Sequence, residues 1–124
     1  MTNFSFKKRL GSFKYAFRGI VHMFMREQNA WIHALAVIVV TVAGISVQLS
    51  KTEWLFVILS IGLVLMAEAF NTAIEQLANA VSETYNEKLK NAKDVAAGAV
   101  LLAATTAALI GLLVFIPHII EIFA

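Results

Sequence analysis

From Ala30 to Leu49 the chain runs for 20 residues without a single Lys, Arg, Asp or Glu, the length a helix needs to cross a hydrocarbon core of roughly 30 Å. A second apolar run opens at Trp54, and a third extends from Val95 to Ile116. In lipid, backbone polar groups find no water, so stretches of this length satisfy them internally as helices. With 60% hydrophobic residues among 124, the chain is too apolar for an ordinary soluble domain and short enough for one domain. It has no cysteine, which removes disulfides and thiolate metal sites.

The segment before the first run has a different pattern. Phe6, Leu10, Phe13, Phe17, Ile20, Val21 and Phe24 fall on one helical face, while Lys7, Lys8, Lys14 and Arg18 occupy the rest. Cations opposite an aromatic face suit a helix lying on an anionic leaflet. No short apolar segment with a small-residue cleavage site follows the basic N-terminus, so that end is expected to be retained. The fold class expected is therefore an all-α membrane protein, an N-terminal amphipathic surface helix plus three transmembrane helices. One membrane-embedded unit spans 1–124, with the surface helix at about 5–27 and spans at about 30–49, 54–80 and 95–116. Ser50 to Glu53 reads as a short turn, Val81 to Lys93 as the only sizeable polar loop, and Pro117 as the end of the third span.

Lys and Arg concentrate before the first span and in the second loop, while the first loop holds Lys51 alone. The positive-inside rule then puts the N-terminus and the second loop in the cytoplasm and the C-terminus outside. The expected location is the plasma (inner) membrane, multi-pass, with the bilayer and no nucleic acid as partner.

Against this apolar background one stripe stands out. At about 100° per residue, Glu68, Asn71, Thr72, Glu75 and Asn79 share an arc of roughly 100°, and Ala69, Phe70, Ile74 and Leu77 lie opposite. An ionised carboxylate at mid-bilayer costs on the order of 3 kcal/mol, so an intramembrane acid reads as functional by default. A structural ion pair would also account for Glu68, but the spans hold no Lys or Arg at its depth. Ala96, Ala103, Ala107 and Gly111 form a small-residue face on the third span, read as helix packing.

On the topology above, Glu27, Glu75, Lys93 and Asp94 reach one cytoplasmic depth from separate elements. Three carboxylates there (Glu27, Glu75 and Asp94) suit Mg²⁺, a hard cation that takes oxygen ligands and shares its shell with water and substrate phosphates. Lys93 and the N-terminal cations suit phosphate. Glu68, deeper, suits a general base for a poorly soluble hydroxyl, with Asn71 placed to orient Glu68 or Glu75. The bland alternative for Glu27, Glu75 and Asp94 is solvated charge at helix ends. His22, His33 and His118 lack metal-ligand spacing, with His33 and Trp31 read at interface depth. No P-loop or Rossmann glycine motif is present. Chemistry on a lipid hydroxyl uses all of these groups; a small oligomeric transporter or channel with Glu68 as a cation or proton site also explains an acid in a span, while an inert scaffold packed through the alanine face leaves the stripe Glu68 to Asn79 unexplained.

The run Glu68-Ala69-Phe70-Asn71-Thr72-Ala73-Ile74-Glu75, followed by Ala92-Lys93-Asp94-Val95-Ala96-Ala97-Gly98-Ala99-Val100, resembles the signature of the small prokaryotic diacylglycerol kinases and undecaprenol kinases. Arg18-Gly19, Arg26-Glu27-Gln28-Asn29 and Ile32-His33 extend the resemblance over nearly the whole chain. It implies a homotrimer of three-span protomers that transfers the ATP γ-phosphate to a lipid hydroxyl at the cytoplasmic face. It also implies Glu68 as catalytic base and Glu27 and Glu75 as carriers of Mg²⁺. Asn71, Lys93 and Asp94 would belong to the active and nucleotide site. Tyr15 and Tyr85 match nucleotide-contacting positions, and Lys8 stands where some relatives have arginine. Asn79 replaces a usual Asp, and Thr84-Tyr85-Asn86 replaces a common Glu-Tyr-His; both departures bear on nucleotide affinity. The segment Glu27 to His33 resembles the undecaprenol kinase branch more than the diacylglycerol kinase branch, which tends to carry a second acid near His33. A neutral His33 favours a polyprenol acceptor.

Overall fold

The computed structural model describes residues 3–124 as four helices in chain order: α1 Phe6–Arg26, α2 Gln28–Ser46, α3 Lys51–Val81 and α4 Glu87–Phe123. Three of them, α2, α3 and α4, are long and apolar enough to cross a membrane. The expected class, a surface helix followed by three spans, is the architecture found.

Ser5 caps α1 by accepting from the Lys8 backbone N–H. The apolar residues Phe6, Leu10, Phe13, Phe17, Ile20 and Val21 stay exposed, and α1 buries only Met23. An apolar face with no protein against it is what a helix lying on lipid presents. A single residue, Glu27, then breaks the helix with extended backbone (φ −112°, ψ 118°). It ends α1 through its N–H to Met23 O and starts α2 without using its side chain as a cap. The carboxylate is left for other partners.

The α2–α3 turn is a Schellman motif: Leu49 N–H donates to Gly44 O at 3.1 Å and Gln48 N–H to Ile45 O at 3.2 Å. Gln48 takes the left-handed position (φ 58°), which costs a residue other than glycine roughly 1 kcal/mol. Trp54 folds back onto Gly44 so closely that a Cβ there would lie 2.7 Å from its ring. Ser50 and Glu53 close a reciprocal capping box, so α3 begins within the stretch read as a turn. At 31 residues it is about 46 Å long, well beyond the hydrocarbon thickness.

Two sequence expectations fail around α4. The polar stretch 81–93 is not one long loop, because Asn86 Oδ1 accepts from the backbone N–H groups of Lys88 and Leu89 and starts the helix at Glu87. Nor does Pro117 end it. A proline removes only its own donor and obstructs one carbonyl, and the helix continues to Phe123. The next residue, His118, meets Glu53 Oε2 of α3 through Nε2 at 2.7 Å and ties the two helices together.

The most extensive packing is between α3 and α4, with Ala96 and Ala103 buried at the contact. Small side chains permit this close approach, the role expected of that face. Leu49, Val57 and Val114 form a core at the end of the bundle nearest the α2–α3 turn, with Trp54, Ile61, Ile110 and Phe115 against them. Hydroxyls in the spans satisfy themselves on the preceding turn, as Ser60 does on Phe56 O and Thr106 on Leu102 O, both at 2.8 Å.

Candidate active site

The polar stripe of α3 grades from dry to wet along the helix. Glu68 is 0% exposed and is the largest fully buried side chain described. Asn71 and Thr72 are buried, Glu75 is half-buried and Asn79 is exposed. A helix longer than the apolar layer produces this gradient, because successive turns of one face emerge at increasing distance from the packed bundle.

Neither Glu68 oxygen has a hydrogen-bond partner among the described residues, and the same holds for Asn71 Oδ1 and Thr72 Oγ1. Four unsatisfied buried acceptors within about one turn of helix are costly, since each such group forfeits on the order of 1–3 kcal/mol of solvation. The group nearest Glu68 is His33 of α2, whose Nε2 lies 3.3 Å from Oε2 but off the hydrogen-bonding direction. His33 is thus brought against the buried acid from the second turn of α2. It was identifiable as the only titratable residue within the first apolar run, but its partner was not.

One to two turns further along α3, Glu75 meets Glu27, the free carboxylate at the α1–α2 joint, and the Lys93 ammonium acts on Glu75 from α4. Lys93 Nζ also donates to Asn79 Oδ1 at 2.6 Å. The α1–α2 joint, α3 and α4 thus converge on one pair of carboxyl groups. Asp94 does not join it: its carboxylate accepts from Lys90, one turn back, at 2.7 Å and is largely exposed. The expected trio Glu27, Glu75 and Asp94 is corrected to a pair, and among the described residues no group of three or more His, Asp or Glu side chains is close enough to hold a metal. The reason is angular, since Asp94 follows Lys93 by about 100° and points away from α3.

Asn71 forms no hydrogen bond with Glu68 or Glu75; it lines a cavity between α3 and α4 with Phe70, Ala99 and Thr106. Lys8, Tyr15 and Tyr85 are exposed, with Arg18 stacked over the Tyr15 ring at 5.5 Å. The contact between His22 and Gln76 at 2.7 Å, which pins α1 to the C-terminal end of α3, has no signal in the sequence.

A buried acid, a paired-carboxylate site one to two turns away and a nearby lysine form a constellation suited to phosphoryl transfer to a lipid-embedded hydroxyl. The comparisons bear on the family of the chain. Residues 14–115 match the profile of the prokaryotic diacylglycerol kinase family. The chain is 40% identical over 108 residues to the undecaprenol kinase of Bacillus subtilis (strain 168), covering 87% of this chain and 88% of that one. It is 35% identical over 114 residues to the diacylglycerol kinase of Synechocystis sp. (strain ATCC 27184 / PCC 6803 / Kazusa), covering 91% of this chain and 65% of that one. With its three apolar helices and a match over most of its length, the chain belongs to the prokaryotic diacylglycerol kinase family and is a membrane lipid kinase.

Proposed function

We propose that this kinase transfers the γ-phosphoryl group of ATP to the hydroxyl of a membrane lipid at the cytoplasmic face, with undecaprenol as acceptor in preference to diacylglycerol. The observation that carries the reading is Glu68, a fully buried carboxylate with both oxygens unspent. Such a group is placed to take a proton from a hydroxyl that cannot leave the lipid phase. The lipid O–H bond breaks as its oxygen bonds to the γ-phosphorus, and ADP departs with the electrons of the broken P–O bond.

The Glu27–Glu75 pair fits Mg²⁺ by its donors, since the ion is commonly held by one or two carboxylates plus substrate phosphates. When bound there, Mg²⁺ would neutralise charge on the transferring phosphoryl group. Lys93, held by the neutral Asn79, presents a full cation to phosphate. Asn71 has a buried amide oxygen free for the acceptor headgroup. Tyr15, Tyr85, Lys8 and Asp94 belong to the nucleotide side of the same reading, and their exposure leaves them free to meet a soluble ligand. We place the N-terminus and the loop 82–86 in the cytoplasm of a multi-pass plasma-membrane protein acting as one unit. Assembly as a homotrimer is part of the proposal and follows from the family resemblance.

The acceptor preference rests on His33, an imidazole in place of a second acid beside Glu68, and on the greater identity shared with the undecaprenol kinase, of whose length a larger share is matched than of the diacylglycerol kinase's. The test offers undecaprenol and diacylglycerol in the same mixed micelles with ATP. A higher kcat/KM for undecaprenol is expected, and a clear preference for diacylglycerol overturns the assignment. Turnover of neither lipid overturns both acceptors and points to a different lipid alcohol.

A further inference from the structure

We propose that His33 is the positioning residue for the base Glu68, an inference that rests on the kinase reading above. Glu68 is enclosed completely, and His33 is the only side chain described within ion-pair distance of it, Nε2 to Oε2 at 3.3 Å. The contact joins two helices that otherwise touch sparingly, α2 and α3. It lies at the edge of an apolar cavity of about 310 Å³ bounded by Val37, Val40, Ile61, Val64 and Ala104.

The chemistry favours imidazole at this point. A Lys or Arg partner would bring a permanent charge to an apolar wall, where desolvation offsets much of the attraction. A neutral imidazole supplies one N–H donor at far lower cost. A small rotation that aligns Nε2–H with Oε2 fixes the orientation of the carboxylate, and Oε1 is left as the acceptor for the lipid proton. His33 keeps its own proton throughout and acts only through Glu68. Departure of the phosphorylated lipid opens the enclosed acid to water, which takes the acquired proton from Glu68. The His33 side chain is 18% exposed, so its ring bridges the dry acid and the outer surface of α2. An acid without this partner would be free to turn within its pocket, and positioning errors of this kind reduce turnover and leave binding intact.

The experiment uses the full chain in lipid–detergent micelles and compares His33→Phe, which keeps a ring and loses the donor, with His33→Gln, which keeps an N–H donor at similar reach. Glu68→Gln is measured beside them. His33→Phe is expected to lower kcat by about 30-fold or more, a substantial part of the 10²–10⁴ range of a general base, with KM for ATP and for lipid within about threefold. His33→Gln should recover kcat to within about fivefold of the parent, because its amide restores a neutral N–H donor to the carboxylate, a hydrogen bond to a charged group being stronger than one between neutral groups. A His33→Phe protein with parental kcat overturns the proposal. So does a loss expressed mainly in KM, or a His33→Gln protein as slow as His33→Phe with the same drop in Tm, which would mark His33 as packing. If Glu68→Gln retains turnover, the base assignment fails and this inference falls with it. If Glu68→Gln is dead and His33→Phe is not, only the inference fails.

Discussion

Lys93 of α4 donates to Asn79 of α3 at 2.6 Å, and the acceptor is an amide at a position where a carboxylate would make the contact an ion pair. The difference decides how much of the lysine's charge is left for a ligand. Asn79→Asp is expected to raise KM for ATP by about fivefold, since an exposed ion pair is worth up to about 1 kcal/mol. Thermal stability should hardly change. A KM that falls would show that the added carboxylate acts on Mg²⁺ and not on Lys93.

Glu68 and Glu75 share a helix face but differ in burial, and their substitutions should separate by kinetic signature. Glu68→Gln should lose about 10²–10⁴ in kcat, the contribution of a general base, and still bind Mg-nucleotide. Glu27→Gln and Glu75→Gln should weaken Mg-nucleotide binding and raise the Mg²⁺ concentration needed for half-maximal rate. Nucleotide binding by calorimetry, with and without Mg²⁺, checks both. Loss of nucleotide binding in Glu68→Gln would contradict the division of labour.

Gly44 has no room for a side chain, because an added Cβ would sit 2.7 Å from Trp54 Cη2 and 2.9 Å from Leu49 Cδ1. Gly44→Ala should destabilise the α2–α3 hairpin by about 1–3 kcal/mol, the usual cost of overpacking. Trp54→Phe in the same protein should recover part of the loss. Melting in micelles measures both, and an unchanged Tm for Gly44→Ala would mean that the indole moves aside freely.

The chain has no cysteine, so single introduced thiols report topology without background. With α2, α3 and α4 each crossing once, Ser50→Cys should react with an impermeant reagent added outside intact cells, and Asn86→Cys should react only after the membrane is opened. The reverse pattern would put the Glu27–Glu75 pair on the side without ATP.

Much of this molecule was legible in one dimension. Helix number follows from the length of the apolar runs against a bilayer of fixed thickness. The stripe Glu68, Asn71, Thr72, Glu75 and Asn79 follows from helical periodicity alone. The same reasoning misjudged both ends of α4. A proline was read as a stop, although one lost hydrogen bond is tolerated where His118 holds the following turn to Glu53. A charged stretch was read as loop, although the Asn86 cap lets its exposed charges ride on a helix.

Apolar length, charge asymmetry and the polar stripe were the sequence's own doing, because each depends on neighbours along the chain or on the solvent around it. The pairs that make the site belong to the tertiary structure. Which turn of α2 meets which turn of α3 depends on their axial offset, and the approach of Trp54 to Gly44 and the left-handed Gln48 are part of the turn that sets it. That offset brings His33 to Glu68, and the one-residue break at Glu27 returns its carboxylate to Glu75. Residues 35 and 48 positions apart become neighbours only when helices pack, and no periodicity within a single helix encodes that distance.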